Sequence, residues 1–219
     1  MEQMERRPQL RARPAPAVRA CVHWLLAAIA GLTLFTAGCQ RAIPVDTAPL
    51  DAAGMSYDSI QQLKGFNVTT TEVADIAKAR QGGLSDANCV AILQLFRSRG
   101  ERFTAGETIA GLIRAGIGEP TVVELARLNQ LGFSAGELEA MRLAGLSDET
   151  ILEVARRHAE GKTVLSGASL AGMKNAGLRD STLLELSRRG IPDSQTPAIV
   201  ELRRRGFKDE EILKHFTGS

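Results

Sequence analysis

An all-α fold of tandem short helical hairpins, stacked as a solenoid or as a compact superhelical bundle, is predicted for this chain by three observations. Glycines recur at a near-constant interval, Gly83, Gly116, Gly145, Gly177 and Gly206, separated by 33, 29, 32 and 29 residues. Apolar residues keep fixed places around each of them. Helix-start and helix-stop residues fall between those apolar sets. Such self-similarity marks a helical array, because one hairpin buries too little apolar surface to stand alone and must stack on its neighbours.

Composition agrees with a folded domain: of 219 residues, 44% are hydrophobic and 24% charged. The formal charge of +2 comes from the N-terminus. Residues 1–38 carry Arg6, Arg7, Arg11, Arg13 and Arg19 against Glu2 and Glu5; taking these from the totals of 27 and 25 leaves 22 basic and 23 acidic residues. That near-balance argues against a nucleic-acid binder, which presents a basic face. Aromatic residues make up only 4%, and the single Trp, Trp24, lies outside the repeats, so platforms for stacking bases or sugars are scarce. Cys21, Cys39 and Cys89 form neither a spaced pair nor a cluster with histidine, so no disulfide framework and no metal site is expected. Cys89 occupies a column otherwise filled by Val, Ile and Leu and reads as a small core hydrophobe.

Taken in order, residues 1–38 begin with the basic stretch and continue with Ala20 to Gly38, which lacks Asp, Glu, Lys and Arg and contains the apolar run WLLAAIAGLTLF. This is the layout of a secretory signal, with a basic n-region, an apolar h-region and small residues after it. Leu34, Phe35, Thr36, Ala37 and Gly38 before Cys39 resemble the lipobox of bacterial lipoproteins, although Thr36 stands where Leu is usual. The resemblance implies cleavage after Gly38, acylation of Cys39 and a palmitate-type membrane anchor in the cell envelope. Gln40, rather than Asp, after the cysteine implies the outer membrane with the domain facing the periplasm. The alternative is an uncleaved N-terminal helix in the inner membrane, for which nineteen uncharged residues would just suffice. Residues 39–56, with two Pro and many Ala and Gly, read as a flexible tether after the lipidated cysteine.

The repeat domain is expected over residues 57–219 as about five hairpins. Tyr57 to Lys64 reads as a lone helix covering one end. In each hairpin, apolar residues stand seven before the glycine (Ile76, Ile109, Leu138, Leu170, Ile199) and four before it (Ala79, Leu112, Met141, Met173, Leu202), giving the first helix its buried stripe. Leu143 joins that stripe by spacing. After the glycine come Leu84, Ile117, Leu146, Leu178 and Phe207, then an acid in the first turn of the second helix: Asp86, Glu119, Asp148, Asp180 and Asp209. The pairs Cys89/Val90, Val122/Val123, Ile151/Leu152, Leu183/Leu184 and Ile212/Leu213 follow, then Ile92, Leu125, Val154 and Leu186, with His215 last. Thr69 with Glu72, Thr104 with Glu107 and Ser134 with Glu137 read as capping boxes, and Ser147 as a cap. A second series, Gly65, Gly100, Gly132, Gly161 and Gly190, marks the turns between hairpins. The hairpins match tetratricopeptide repeats in length but lack their Trp, Leu-Gly, Tyr and Pro positions.

Candidate chemistry is sparse. Residues 115–118, AGIG, resemble the turn of the DNA-binding helix-hairpin-helix, yet every copy of the repeat places an acid where a phosphate would sit. No Gly-x-Ser-x-Gly, no Cys with a spaced His and no isolated carboxylate pair is present, so a non-enzymatic protein is expected, with no cofactor and no small-molecule substrate evident. His23, His158 and His215 have no metal-ligand partner at suitable spacing. Glu124 with Arg127, Glu153 with Arg156, and Glu185 with Arg188 recur in three adjacent copies, either as surface ion pairs or as an interaction face. Arg203, Arg204, Arg205 and Lys208, opposed by four acids, read as a solvated face, or as a contact for anionic lipid headgroups. The sequence therefore predicts a lipid-anchored protein-interaction module or accessory subunit bound to another envelope protein; a structural lipoprotein binding peptidoglycan is the alternative.

Overall fold

The computed structural model describes residues 45–132 and 135–217. Among these residues the chain is all-helical, with twelve α-helices: α1 (Ala48–Ala52), α2 (Tyr57–Gly65), α3 (Thr70–Gln81), α4 (Asp86–Ser98), α5 (Gly106–Arg114), α6 (Glu119–Arg127), α7 (Ala135–Leu143), α8 (Asp148–Ala159), α9 (Gly167–Asn175), α10 (Asp180–Arg188), α11 (Thr196–Arg204) and α12 (Asp209–Thr217). Consecutive helices make hairpins, and each helix packs on the one two places along the chain. The odd helices thus form one layer and the even helices the other, with a continuous apolar core between them. Helices of nine residues are marginal alone in water, so this shared core is what holds them.

The apolar columns meet that core. Ile76, Ile109, Leu138, Leu170 and Ile199 are all buried, as are Ile92, Leu125, Val154 and Leu186. The columns four before and one after the glycine have a specific cause. The amide of the residue after each glycine donates to the carbonyl five residues back, as in Leu146 to Met141 and Leu178 to Met173, while the glycine itself takes a positive φ, from +89° to +110° in the five expected copies. This is the Schellman stop, whose two flanking apolar side chains touch each other as the helix ends.

Several expectations are corrected. Residues 45–56 are not simply a tether: Leu50 and Met55 are buried, α1 packs on α3, and Met55 donates to the Leu50 carbonyl across Gly54, φ +73°. This is the same helix stop once more, so α2 is not a lone helix but the second half of a sixth hairpin. A five-residue helix with one core side chain is too short to show periodicity. Residues 39–44 lie outside the described residues. Leu143 is 76% exposed, because it stands beyond Met141 on the far side of the last turn of α7. Leu152 is only half-buried, its neighbour Ile151 taking the core position. Phe207 and His215, at core columns of the last hairpin, are exposed, since no further hairpin among the described residues covers them.

Between hairpins, Gly100, Gly161 and Gly190 take positive φ, but Gly65 and Gly132 do not; Asn67 and Asn129 do so instead. Asn tolerates the left-handed region better than most side chains. With these residues as markers, the odd half of the repeat has one length: Asn67 to Gly83, Gly100 to Gly116, Asn129 to Gly145, Gly161 to Gly177 and Gly190 to Gly206 are each 16 residues. The unequal glycine spacing arises in the even helices, where α4 has 13 residues and α8 has 12, against 9 in α6 and α10.

The Thr69–Glu72 capping box forms. Glu72 also accepts from the Phe103 amide at 3.0 Å and pairs with Arg97 at 2.7 Å, tying the first turn of α3 to the end of α4. Burial would raise the Glu72 carboxyl; Arg97, Thr69 and the Phe103 amide outweigh it and hold it at about 2. The Thr104–Glu107 box does not form. Helix α5 starts at Gly106, and Glu107 pairs with Arg114. Packing sets that start: a Cβ on Gly106 would lie 2.0 Å from the Asp75 carbonyl oxygen, so only glycine allows α5 to approach α3 there. Ser147 caps α8 through the Thr150 amide. The Ser134–Glu137 box lies outside the described residues.

Candidate functional site

Glu124, Glu153 and Glu185 stand eight residues after the hairpin glycines, and Arg127, Arg156 and Arg188 three further on, which places them on the outer side of α6, α8 and α10. The expected pairs form in two helices. Arg127 bonds Glu124 in α6, and Arg156 reaches Glu153 at 3.3 Å in α8. In α10 the pairing differs. Glu185 is taken by Arg189 at 2.6 Å, and Arg188 turns to Glu153 of α8 at 3.5 Å. The Arg157 guanidinium, also on α8, donates to the Arg188 carbonyl. A sequence offset of three gives no hint of this exchange, because it depends on α10 lying beside α8.

Between those two helices is a recess of about 160 Å³, floored by half-buried Leu152 and Leu184 and walled by Glu149, Glu153, Arg156 and Arg188. Leu152 and Leu184 belong to a column, with Val123 and Leu213, that faces out of the core at its edge. The even layer therefore shows an apolar seam bordered by charge.

A second arrangement was missed at the sequence level. The recurring acid does more than answer its own helix dipole. Asp86, Glu119, Asp148, Asp180 and Asp209 each reach back to the preceding hairpin and accept from the amide at the start of its even helix: Ser56, Ser85, Gly118, Ser147 and Arg179, at 2.8–2.9 Å. In four copies the same carboxylate also accepts from a side chain one turn on, Asn88, Thr121, Thr150 or Thr182. Its other oxygen faces a cation three residues before the hairpin glycine: Arg80, Arg142, Lys174 or Arg203, with Ile113 standing in the α5 copy. Arg80, Arg142 and Arg203 also donate to the carbonyl of the previous hairpin's glycine. The result is a ladder of charge-assisted bonds that joins successive hairpins at one edge.

Burial would raise the Asp180 carboxyl, but Lys174, the Ser147 amide and the Thr150 hydroxyl outweigh it and hold it at about 2. Asp86, Glu119 and Asp209 are likewise lowered despite burial, by their amide, hydroxyl and cation partners. Three aligned sequence columns, the cation, the acid and the hydroxyl or amide, were the signal that could have revealed this.

In the basic stretch near the C-terminus, two of the four side chains have ion-pair partners. Arg203 belongs to the ladder and Arg205 pairs with Glu201 at 2.9 Å. Cys89 is buried, and burial, with Asp86 adding to it, pushes its thiol up to about 12, so it is an inert core residue. Among the described residues no group of three or more His, Cys, Asp or Glu could hold a metal ion, and no helix is long and apolar enough to cross a membrane. Gly38 and Cys39 lie outside them.

The fold and this surface define a two-layer helical-repeat protein. No family model matches the sequence, and no curated protein matches it.

Proposed function

We propose that this chain is a lipid-anchored protein of the bacterial envelope whose stacked hairpins act as a non-enzymatic interaction module, or accessory subunit, for another envelope protein. The observation that carries this reading is the outer face of the even layer. Three adjacent helices present Glu and Arg at matching positions beside a half-buried apolar seam, and stacked repeats use such regular outer surfaces to bind proteins. The anchor rests on Cys39 and the segment before it, which would hold the module at the outer membrane, facing the periplasm.

Crosslinking in intact cells, followed by identification of what is bound, tests the module. A defined protein partner is the expected result; recovery of wall fragments alone would favour a structural peptidoglycan-binding lipoprotein. The anchor is tested separately by palmitate labelling, which should be lost in Cys39→Ala.

A further inference from the structure

We infer that the recess between α8 and α10 seats an extended segment of the partner protein, one that carries an acidic and an apolar side chain two residues apart. The inference rests on the interaction-module reading and names the chemistry of what binds.

Charge decides the first half. Along this face Arg127 has Glu124 to itself and Arg189 has Glu185, but Arg156 and Arg188 share the single carboxylate of Glu153, at 3.3 and 3.5 Å. Both contacts are longer than the roughly 2.7–2.9 Å of a good charge-assisted bond. Each guanidinium carries five donors, and these two side chains are 46% and 49% exposed, so donors remain for an incoming carboxylate. Arg157 adds a third guanidinium at the Arg188 carbonyl. An anionic group is thus favoured at this end of the recess, while Glu149, two turns before Arg156 on α8, disfavours one at the other end. That asymmetry gives the bound segment a direction.

Shape decides the second half. Leu152 and Leu184 offer a small apolar floor beside the arginines. In an extended chain, side chains two residues apart lie on the same face about 6.5–7 Å from each other. One can then rest on the leucines while the other meets Arg156 and Arg188.

The full-length protein in detergent micelles, titrated with two short fluorescein-labelled Gly/Ser peptides, tests this by anisotropy. One peptide carries Leu and Glu two positions apart; the other carries Leu and Lys. The Glu peptide should bind at least about tenfold tighter, the factor one charge-assisted hydrogen bond supplies. Arg156→Gln/Arg188→Gln, which leaves Glu149 and Glu153 unopposed, should remove the preference for the Glu peptide, and Arg156→Glu/Arg188→Glu should invert it fully, with helical circular dichroism retained. Equal binding of the two peptides, binding of neither, or a preference that survives both double variants overturns the inference, as does displacement of the Glu peptide by a wall muropeptide that binds more tightly. In cells, a partner that crosslinks equally well to Arg156→Gln/Arg188→Gln overturns the recess and leaves the module intact, whereas a wild-type chain that crosslinks no protein counts against the module itself.

Discussion

The turn edge and the outer face of the even layer are built from the same few residue types, Asp or Glu with Arg or Lys, and use them in opposite ways. At the turn edge the acids draw on one kind of partner set from hairpin to hairpin, an amide in all five copies, with a hydroxyl or side-chain amide in four and a cation in four, most of them supplied by the neighbouring repeat. On the outer face the partners change from copy to copy. Arg127 stays within its own helix, Arg188 crosses to α8, and Glu185 switches to Arg189. The first pattern is what a stack needs in order to fix the register of its units. In the second, geometry leaves one pair of guanidiniums short of carboxylate, a feature that suits recognition better than stability.

The contrast can be broken or sharpened by substitution. The largest loss is expected inside the core, which both regions share: Ile151→Ala, at a fully buried site, should lower unfolding free energy by about 2–5 kcal/mol in denaturant titration. Next comes the ladder. Asp180→Ala strips the Thr150 hydroxyl, itself buried, of its acceptor and leaves Lys174 unpaired, so a loss of about 1–3 kcal/mol is expected.

The same carboxylate gives a pH test. Its folded value, about 2, lies below the ordinary 3.8, so the stability it contributes is complete above pH 4 and is lost as pH falls toward 2. Melting temperature should therefore drop across that window, and Asp180→Asn should show a shallower drop than the wild type. An identical drop in both proteins would remove Asp180 from the ladder's energetics.

Leu152→Ala, on the half-buried side of the Ile151 position, should cost less than Ile151→Ala, about 1 kcal/mol, because part of its side chain already faces water. Smallest of all is Glu153→Ala on the outer face, expected within about 1 kcal/mol of wild type, as for exposed ion pairs generally. If Glu153→Ala proved as damaging as Asp180→Ala, the division between a stacking edge and an outer face that contributes little to stability would fail.

Much of the fold was legible because helix stops, caps and core columns are local or strictly periodic. The five mid-hairpin glycines, the columns of Ile76 and Ile92, and the Thr69 and Ser147 caps each follow from residues within a few positions of one another. Legibility failed where the deciding neighbour lies a full repeat away. The first hairpin was hidden because α1 offers one buried leucine, whose place is set by α3. The start of α5 was misjudged because Gly106 answers to the Asp75 carbonyl and not to Thr104. The Glu–Arg pairs expected from spacing form in α6 and α8, but at Glu185 and Arg188 the pairing differs for the same reason.

From the order of its amino acids alone, most of this protein's helices, their glycine stops and most of the side chains that turn inward were decided, since hydrogen bonds within a helix and apolar burial on one face act over three to seven residues. Packing decided the rest: which carboxylate meets which amide about thirty residues back, which two arginines share one carboxylate, and where leucines at the core's edge open a recess. Those outcomes depend on distances between α-helices brought together only when the hairpins stack.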